Sequence, residues 1–182
     1  MKRKLQILAI FTVVLFSCSK EETPETGNCS NMINDGHFDS SKSLDHWNVL
    51  EAHAVSLDES TVYEGASSLH MEGDSTEYYD TNLEYLTGVP VVSDIQYEFS
   101  CAVKILHSGK YGNAMYAFSI RQGGESLMYD GFYFHHEHVD VDWKVRKFYF
   151  TALDNTPIKL YIRTSAQHVW LDNIGLREAA CL

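Results

Sequence analysis

Alternation of apolar and polar residues is the feature that most constrains the fold of this chain. In residues 96–106 one parity is apolar throughout and consists of Tyr97, Phe99, Cys101, Val103 and Ile105. Successive side chains of a β-strand point to opposite faces, so this period of two predicts a strand with one buried face.

The same alternation recurs along the middle of the chain. Residues 114–121 place Tyr116, Phe118 and Ile120 on one face, and residues 158–163 alternate Ile158, Leu160 and Ile162 with Lys159, Tyr161 and Arg163. Further strand candidates are residues 47–57, 68–72, 128–134 and 143–151. Turn residues separate the strands, and no long amphipathic helical run is present. The pattern predicts an all-β sandwich.

The first 17 residues are predicted to be a signal peptide. Three basic residues precede a short apolar run, 5–16, which is too short for a membrane span of roughly 20 residues. Leu15-Phe16-Ser17-Cys18 resembles the lipobox of bacterial lipoproteins, which implies acylation of Cys18. The alternative is an ordinary secretory signal, whose small-x-small cleavage site is less well matched.

Residues 18–30 are polar, contain proline and glycine, and are predicted to form a flexible tether ahead of a domain at 31–182. The lysine and acids after Cys18 resemble the surface-export signal of Bacteroidetes lipoproteins. We therefore expect a lipid anchor in the bacterial outer membrane, with the face of that membrane left open.

The charge balance narrows the class of partner. The chain has 182 residues and a formal net charge of −11, which becomes −14 when a leader with three basic residues and no acid is removed. Such a surface repels phosphate backbones and excludes nucleic acid as a partner. It is compatible with neutral glycans, cations or simple solubility.

Three motifs carry a resemblance to a known family. They are N-M-I-N-D-G-H-F-D at 31–39, V-Y-E-G-A-S-S-L-H-M at 62–71 and V-W-L-D-N-I-G-L at 169–176. Together they resemble the carbohydrate-binding modules of families 4, 9 and 22. The resemblance implies a single jelly-roll β-sandwich of two antiparallel sheets with a non-catalytic glycan-binding role. We expect such a lipoprotein to act together with partner proteins of a polysaccharide-uptake system.

The resemblance also implies a structural calcium ion, because many such modules hold one between the first and last strands. The matching positions are Asp39, Gly65 and Asp172, and Ca²⁺ accepts carboxylate and carbonyl oxygens of this kind. Asp35, His37 and Asp39 depart from the family's Asn, Asp and Glu. Without a metal, Asp172 would be a buried acid that needs hydrogen-bond donors.

The cysteines and tryptophans are read partly through the same resemblance. Cys29 and Cys181 flank the two ends of the domain, which lie close together in such sandwiches, so a disulfide is expected; two unpaired thiols are the alternative. Cys101 is expected to be a buried thiol. Trp170 shares parity with Asp172, Ile174 and Leu176, which predicts an inward position for all four.

Strand parity selects candidate sugar-binding residues. If the apolar residues of each strand face the core, an outward set remains, consisting of Tyr129, Tyr133, His135, Tyr161, Arg163 and Arg121. Aromatic faces can cover a sugar ring while polar groups bind its hydroxyls. Tyrosines scattered on a sheet surface are the alternative for any one of them.

Other functions are less well supported. No G-x-S-x-G, H-E-x-x-H or phosphate-binding glycine loop is present, so we expect no enzyme activity. The cluster His135-His136-Glu137-His138 is interpreted as a solvated turn rather than a metal site.

The main alternative function is a protein-interaction or structural accessory lipoprotein that uses the same sandwich without a sugar site. Convergence of Tyr129, Tyr133 and Tyr161 in a groove would favour sugar.

Overall fold

The chain forms a sandwich of two antiparallel five-stranded sheets, which confirms the predicted all-β jelly-roll class. The structure is a computed structural model that describes residues 29–49, 54–73, 81–107, 113–135 and 138–181. The predicted leader, Cys18 and most of the tether lie outside the described residues, and so do 136 and 137 of the histidine cluster. Within these ranges no helix is long and apolar enough to cross a membrane.

The first sheet has the strand order β1-β4-β9-β6-β7. Its strands are β1 (Trp47–Val49), β4 (Thr81–Tyr85), β9 (Lys159–Thr164), β6 (Asn113–Gln122) and β7 (Glu125–His135). The second sheet has the order β2-β3-β10-β5-β8. Its strands are β2 (Val55–Asp58), β3 (Ser68–Met71), β10 (His168–Glu178), β5 (Gln96–His107) and β8 (Val139–Thr151). Short 3₁₀ helices lie at Ser43–His46 and Ala179–Cys181.

The core lies between the sheets and is built from the predicted apolar parities. In β5 the side chains in the core cluster are Tyr97, Phe99, Cys101, Val103 and Ile105, as the alternation predicts. Glu98, Ser100 and Ala102 on the opposite face are buried too, so the prediction of a single buried face is too simple. Phe99 meets Phe118 of β6 with ring centroids 5.5 Å apart, which joins the two sheets. In β6 and β9 the even-numbered residues, such as Phe118 and Leu160, face the core. The odd-numbered residues of both strands therefore face outward, and the candidate site forms on that outer face.

The two ends of the domain are attached to each other. Asn31 Oδ1 accepts hydrogen bonds from the backbone N–H groups of Ile33 and Leu176, and Asn31 Nδ2 donates to the Ile174 carbonyl. Cys29 and Cys181 form a disulfide, with Cα atoms 5.2 Å apart. Cys101 is a buried free thiol. The opening segment is therefore held against the last strand by both covalent and hydrogen bonds.

Two predictions of strand structure are wrong. Residues 47–57 are not one strand, because β1 belongs to the first sheet and β2 to the second. In β10 the pairing with β5 shifts between Asp172 and Gly175, and Asn173 has a φ of 49°. This β-bulge reverses the parity. Ile174 and Leu176 therefore face the core, as predicted, whereas Trp170 and Asp172 lie opposite Lys104 and Ala102 on the outer face of the second sheet.

Candidate functional site

Two tyrosines flank a serine on the outer face of the first sheet. Ser119 of β6 pairs with Tyr161 of β9 on one side and with Tyr129 of β7 on the other. Neighbouring strands are about 4.8 Å apart, so the two tyrosine Cα atoms are separated by roughly 10 Å. The three residues form a row across the sheet, with an aromatic side chain on each side of a small polar one.

The next row of the sheet supplies a low floor. Ala117 of β6 pairs with Gly131 of β7 and with Arg163 of β9. A Cβ atom at Gly131 would lie 3.0 to 3.2 Å from Tyr129 ring and hydroxyl atoms. The absence of a side chain at Gly131 therefore lets the Tyr129 ring lie along β7, where its hydroxyl is 3.2 Å from that of Tyr133.

The result is an open groove of about 240 Å³. The residues that line it are Leu83, Glu84, Ala117, Ser119, Arg121, Tyr129, Tyr161, Ile162 and Arg163. Its floor follows β6, and its walls come from β9 with the adjacent β4 on one side and from β7 on the other. A groove with aromatic walls and a polar floor can hold a ring-shaped ligand that has apolar faces and polar edges.

Ser119 supplies an unused hydroxyl at the centre of this groove. The residue is 9% exposed, and its Oγ has no hydrogen-bond partner among the residues that the structure describes. A buried hydroxyl without a partner costs roughly 1–3 kcal/mol. A ligand hydroxyl placed between the two tyrosines would satisfy this group, so the site has a polar requirement that only a bound molecule or solvent can meet.

Charged side chains bound the groove at both ends of its floor. The Arg121 guanidinium carbon lies 5.5 Å from the centroid of the Tyr161 ring, a cation–π distance. At the other end Arg163 Nη2 donates to the Met115 sulfur at 3.4 Å. Glu84 lies in the wall, and its carboxylate accepts a hydrogen bond from Lys159 Nζ at 2.9 Å.

The structure brings together four of the six residues that parity selected. Tyr129, Tyr161, Arg121 and Arg163 all line the groove. Tyr133 lies beside Tyr129 on β7. The side chain of His135 lies outside the described part of the structure, although its backbone pairs with Asn113. The binding roles of these residues remain predictions.

Sequence reasoning missed the floor of the groove. Ser119 shares the outward parity of Arg121 on β6, so the alternation could have identified it. Its lack of a partner could not be seen without the cross-strand register, because any neighbouring side chain might have satisfied the hydroxyl. Glu84 was missed because its short strand, β4, was not predicted at all.

The predicted calcium ligands surround one loop, and hydrogen bonds already occupy them in part. Asp172 is fully buried; its Oδ2 accepts the N–H groups of Tyr63 and Glu64, and its Oδ1 accepts that of Asn173. Burial raises the pKa of Asp172, while these three amide donors act in the opposite sense. The carboxylate thus finds the donors that a buried acid requires.

Asp39 contacts the same loop. Its Oδ1 accepts the Ala66 N–H at 2.6 Å, and Gly65, at a φ of 81°, leaves no room for a Cβ, which would lie 2.1 Å from that oxygen. A carboxylate offers about four lone-pair positions, and amide donors fill three at Asp172. Within the described ranges no three His, Cys, Asp or Glu side chains form a metal-binding group. Asp172 therefore has about one lone-pair position left for a cation, and the calcium site stays a prediction.

A histidine pair lies on the outer face of the second sheet, away from the groove. His70 Nε2 is 3.1 Å from His168 Nδ1, and the His70 ring lies parallel to that of Trp170 with centroids 4.8 Å apart. Trp170 Nε1 donates to Asp58 Oδ2 at 2.7 Å. Burial lowers the pKa of His70 below its ordinary value of 6.5, and the charge of His168 acts in the same sense, whereas Asp58 and Glu72 raise it.

This histidine predicts a pH dependence of stability. Between the lowered pKa of His70 in the folded protein and 6.5 in the unfolded chain, the unfolded chain binds more protons, so stability falls as pH decreases below about 6.5. Asp58 stays ionised in this range, because hydrogen bonds from Ser60 and Trp170 outweigh its burial and hold its pKa at about 2. The melting temperature of the wild type should fall more between pH 7 and pH 5 than that of His70→Gln. Parallel profiles would contradict this.

Comparisons with known proteins identify the fold. No protein-family model and no curated protein matches the chain. Among solved structures, a family 16 carbohydrate-binding module matches with a TM-score of 0.53 and 15% identity, over 80% of this chain and 99% of that one. A family 61 module in complex with β-1,4-galactotriose matches with a TM-score of 0.57 and 12% identity, over 81% and 97%.

A xylan-binding domain of family 22 matches with a TM-score of 0.53 and 14% identity, over 86% of this chain and 98% of that one. At such identities the likeness shows the fold, which is that of β-sandwich carbohydrate-binding modules. The resemblance read from the three sequence motifs is confirmed at this level.

Proposed function

We propose that this protein binds an oligo- or polysaccharide in the groove of the first sheet, without acting on it chemically. The observation that carries the proposal is the row of Tyr161, Ser119 and Tyr129. It combines two outward-facing aromatic side chains, exposed Tyr129 and half-buried Tyr161, with a buried hydroxyl that has no partner among the described residues. Carbohydrate is the ligand class that presents an apolar ring face and hydroxyl groups within one residue.

The fold also supports glycan binding. Solved structures with this fold include modules whose names state that they bind xylan or galactotriose. Fold alone does not assign function, so the proposal depends on the groove and uses the fold as support. Attachment of the domain to the bacterial envelope through a lipidated Cys18 belongs to the proposal, and that residue lies outside the described structure.

The alternative of a protein-docking accessory is less well supported by the geometry. A protein interface of ordinary size needs about 800 Å² per partner with an apolar centre. Here Tyr129 and Tyr161 flank a groove that contains a serine and two arginines, rather than a flat apolar patch. We therefore retain glycan binding as the function that the site supports best.

A glycan panel with a matched variant tests the proposal. The mature domain should bind at least one immobilised plant, host or microbial glycan, measured by affinity electrophoresis and then by calorimetry. Ser119→Ala should weaken that binding about tenfold, because the ligand loses a hydrogen bond in a partly dry site. The same change should leave the melting temperature equal or higher, since it removes a buried hydroxyl that has no partner.

The opposite directions of these two effects make the test specific. A merely structural serine would lose stability on truncation and leave affinity unchanged. A folded protein that binds no glycan of the panel, or a Ser119→Ala variant with unchanged affinity and lowered stability, would contradict the proposed function.

A further inference from the structure

We infer that the groove selects glycans that carry anionic groups, carboxylates or sulfates, over neutral glycans of the same backbone. This inference rests on the proposed function and specifies the ligand class of the same site. It comes from the charges that line the groove, which differ in sign from the charge of the chain as a whole.

The lining residues carry an excess of positive charge. Arg121 and Arg163 both contribute to the groove, and Glu84 is the one acid among the described residues that line it. The Glu84 carboxylate is ion-paired with Lys159, with Nζ and Oε1 2.9 Å apart. Its charge is therefore balanced within the wall, and among the described residues that line the groove the two guanidinium groups carry the remaining charge.

Arg121 is well placed to receive an anion. It is exposed, and its guanidinium group lies against the Tyr161 ring. Among the residues that the structure describes, none of the ion pairs involves Arg121. A guanidinium group offers a planar pair of N–H donors that matches a carboxylate or sulfate, and such charge-assisted bonds are about twice as strong as neutral ones. A neutral sugar hydroxyl would use this group less fully.

The spacing of the two arginines indicates a ligand longer than one sugar unit. Arg121 of β6 pairs with Lys159 of β9, and Arg163 lies four residues after Lys159 on β9. Four residues of a β-strand span about 13 Å. The two guanidinium groups contact different side chains, Tyr161 for Arg121 and Met115 for Arg163, so we expect an oligosaccharide with acidic groups at separate positions along the strands.

The rest of the molecule makes this positive groove unusual. The chain has 25 acids and 14 basic residues other than histidine, and its net charge is −11. The field of such a protein repels anions at most of its surface. Two of its five arginines nevertheless lie in the groove. The net charge is compatible with neutral glycans, cations or simple solubility, whereas the local charges of the groove favour an anionic glycan.

Matched pairs of polymers test the inference with the mature domain. The first pair is polygalacturonate and its fully methyl-esterified form, and the second is dextran sulfate and neutral dextran. Calorimetry and affinity electrophoresis should give at least tenfold tighter binding to the charged member of one pair. The pair that discriminates identifies the acid as carboxylate or sulfate. Binding to the charged member should weaken between 50 and 500 mM salt by screening.

Charge-removing variants locate the effect. Arg121→Gln and Arg163→Gln should each lower the ratio of charged-polymer to neutral-polymer affinity about tenfold, because the charged polymer loses a charge-assisted bond that the neutral one cannot form. Lys144→Gln removes the same charge from an exposed position on β8 of the other sheet and serves as the control. The control should bind as the wild type does.

The outcomes separate this inference from the proposed function. Equal binding of charged and neutral polymers, or a loss in Lys144→Gln as large as that in Arg121→Gln, would overturn the anionic preference and leave glycan binding intact. Binding only to neutral glycans would do the same. Failure to bind any glycan, charged or neutral, would overturn both.

Discussion

Replacing Tyr161 or Tyr129 by alanine is expected to weaken glycan binding by about 10- to 100-fold each, and the double variant is expected to abolish it in a calorimetric experiment. Truncating an aromatic side chain that covers a ligand typically costs about 1–3 kcal/mol of binding free energy. The two tyrosines stand on opposite sides of Ser119, so a sugar ring between them loses one wall with each change.

Stability should change little in these variants. Tyr129 is 52% exposed, and Tyr161 lies on the outer face away from the core. Surface substitutions of this kind usually stay within about 0.5 kcal/mol of the wild type. Tyr63→Ala is the matched control, because Tyr63 is 41% exposed and contacts Trp143 on the other sheet. An equal loss of binding in the control would place the ligand elsewhere.

Gly131→Ala offers a finer test of the same wall. The added Cβ would lie 3.0 to 3.2 Å from the Tyr129 ring and hydroxyl atoms, so the side chain must move. Binding should weaken although no aromatic group has been removed. Unchanged affinity in this variant, together with a loss in Tyr129→Ala, would mean that the ring position matters less than its presence.

Reduction of the Cys29–Cys181 disulfide is expected to lower the free energy of unfolding by about 5 kcal/mol. The bond closes a loop with a sequence separation of 152 residues, and the chain-entropy estimate for such a loop is near that value. Because domains are stable by only about 5–15 kcal/mol, this is a large fraction of the total. Urea denaturation with and without reductant measures it.

The control for reduction is the variant with both Cys29→Ser and Cys181→Ser. It should match the reduced wild type and should not respond to reductant, because the remaining described thiol, Cys101, is already free and buried. Equal midpoints for oxidised and reduced wild type would contradict the prediction. They would mean that the hydrogen bonds of Asn31 hold the opening segment without covalent help.

Much of the fold could be predicted from local sequence, and the reason is periodicity. The alternation in β5 identified the core-facing side chains correctly from Tyr97 to Ile105, because a strand with one face in the core must repeat every two residues. The same rule placed Tyr161 and Arg163 outside. What periodicity could not give was the partner of each strand, since register depends on contacts distant in sequence.

The errors arise where a local irregularity interrupts the period. The bulge at Asn173 shifts parity within β10, so counting outward from Ile174 assigned Trp170 to the wrong face. The stretch 47–57 looked continuous, yet its two halves belong to different sheets. Within the site, the aromatic walls could be predicted from parity, whereas the unsatisfied hydroxyl of Ser119 required the complete set of neighbours.

The position of β7 at the end of its sheet has a consequence for ligand range. Among the described strands only β6 pairs with β7 in the sheet, with one side-chain ion pair from Asp130 to Arg146 of β8, whereas β9 pairs with a strand on each side. Displacing the wall that carries Tyr129 and Tyr133 away from the groove should consequently require less free energy than displacing the wall that carries Tyr161. We expect the inner wall to set the preferred sugar and the outer wall to admit side branches, which would suit capture of heterogeneous natural polymers.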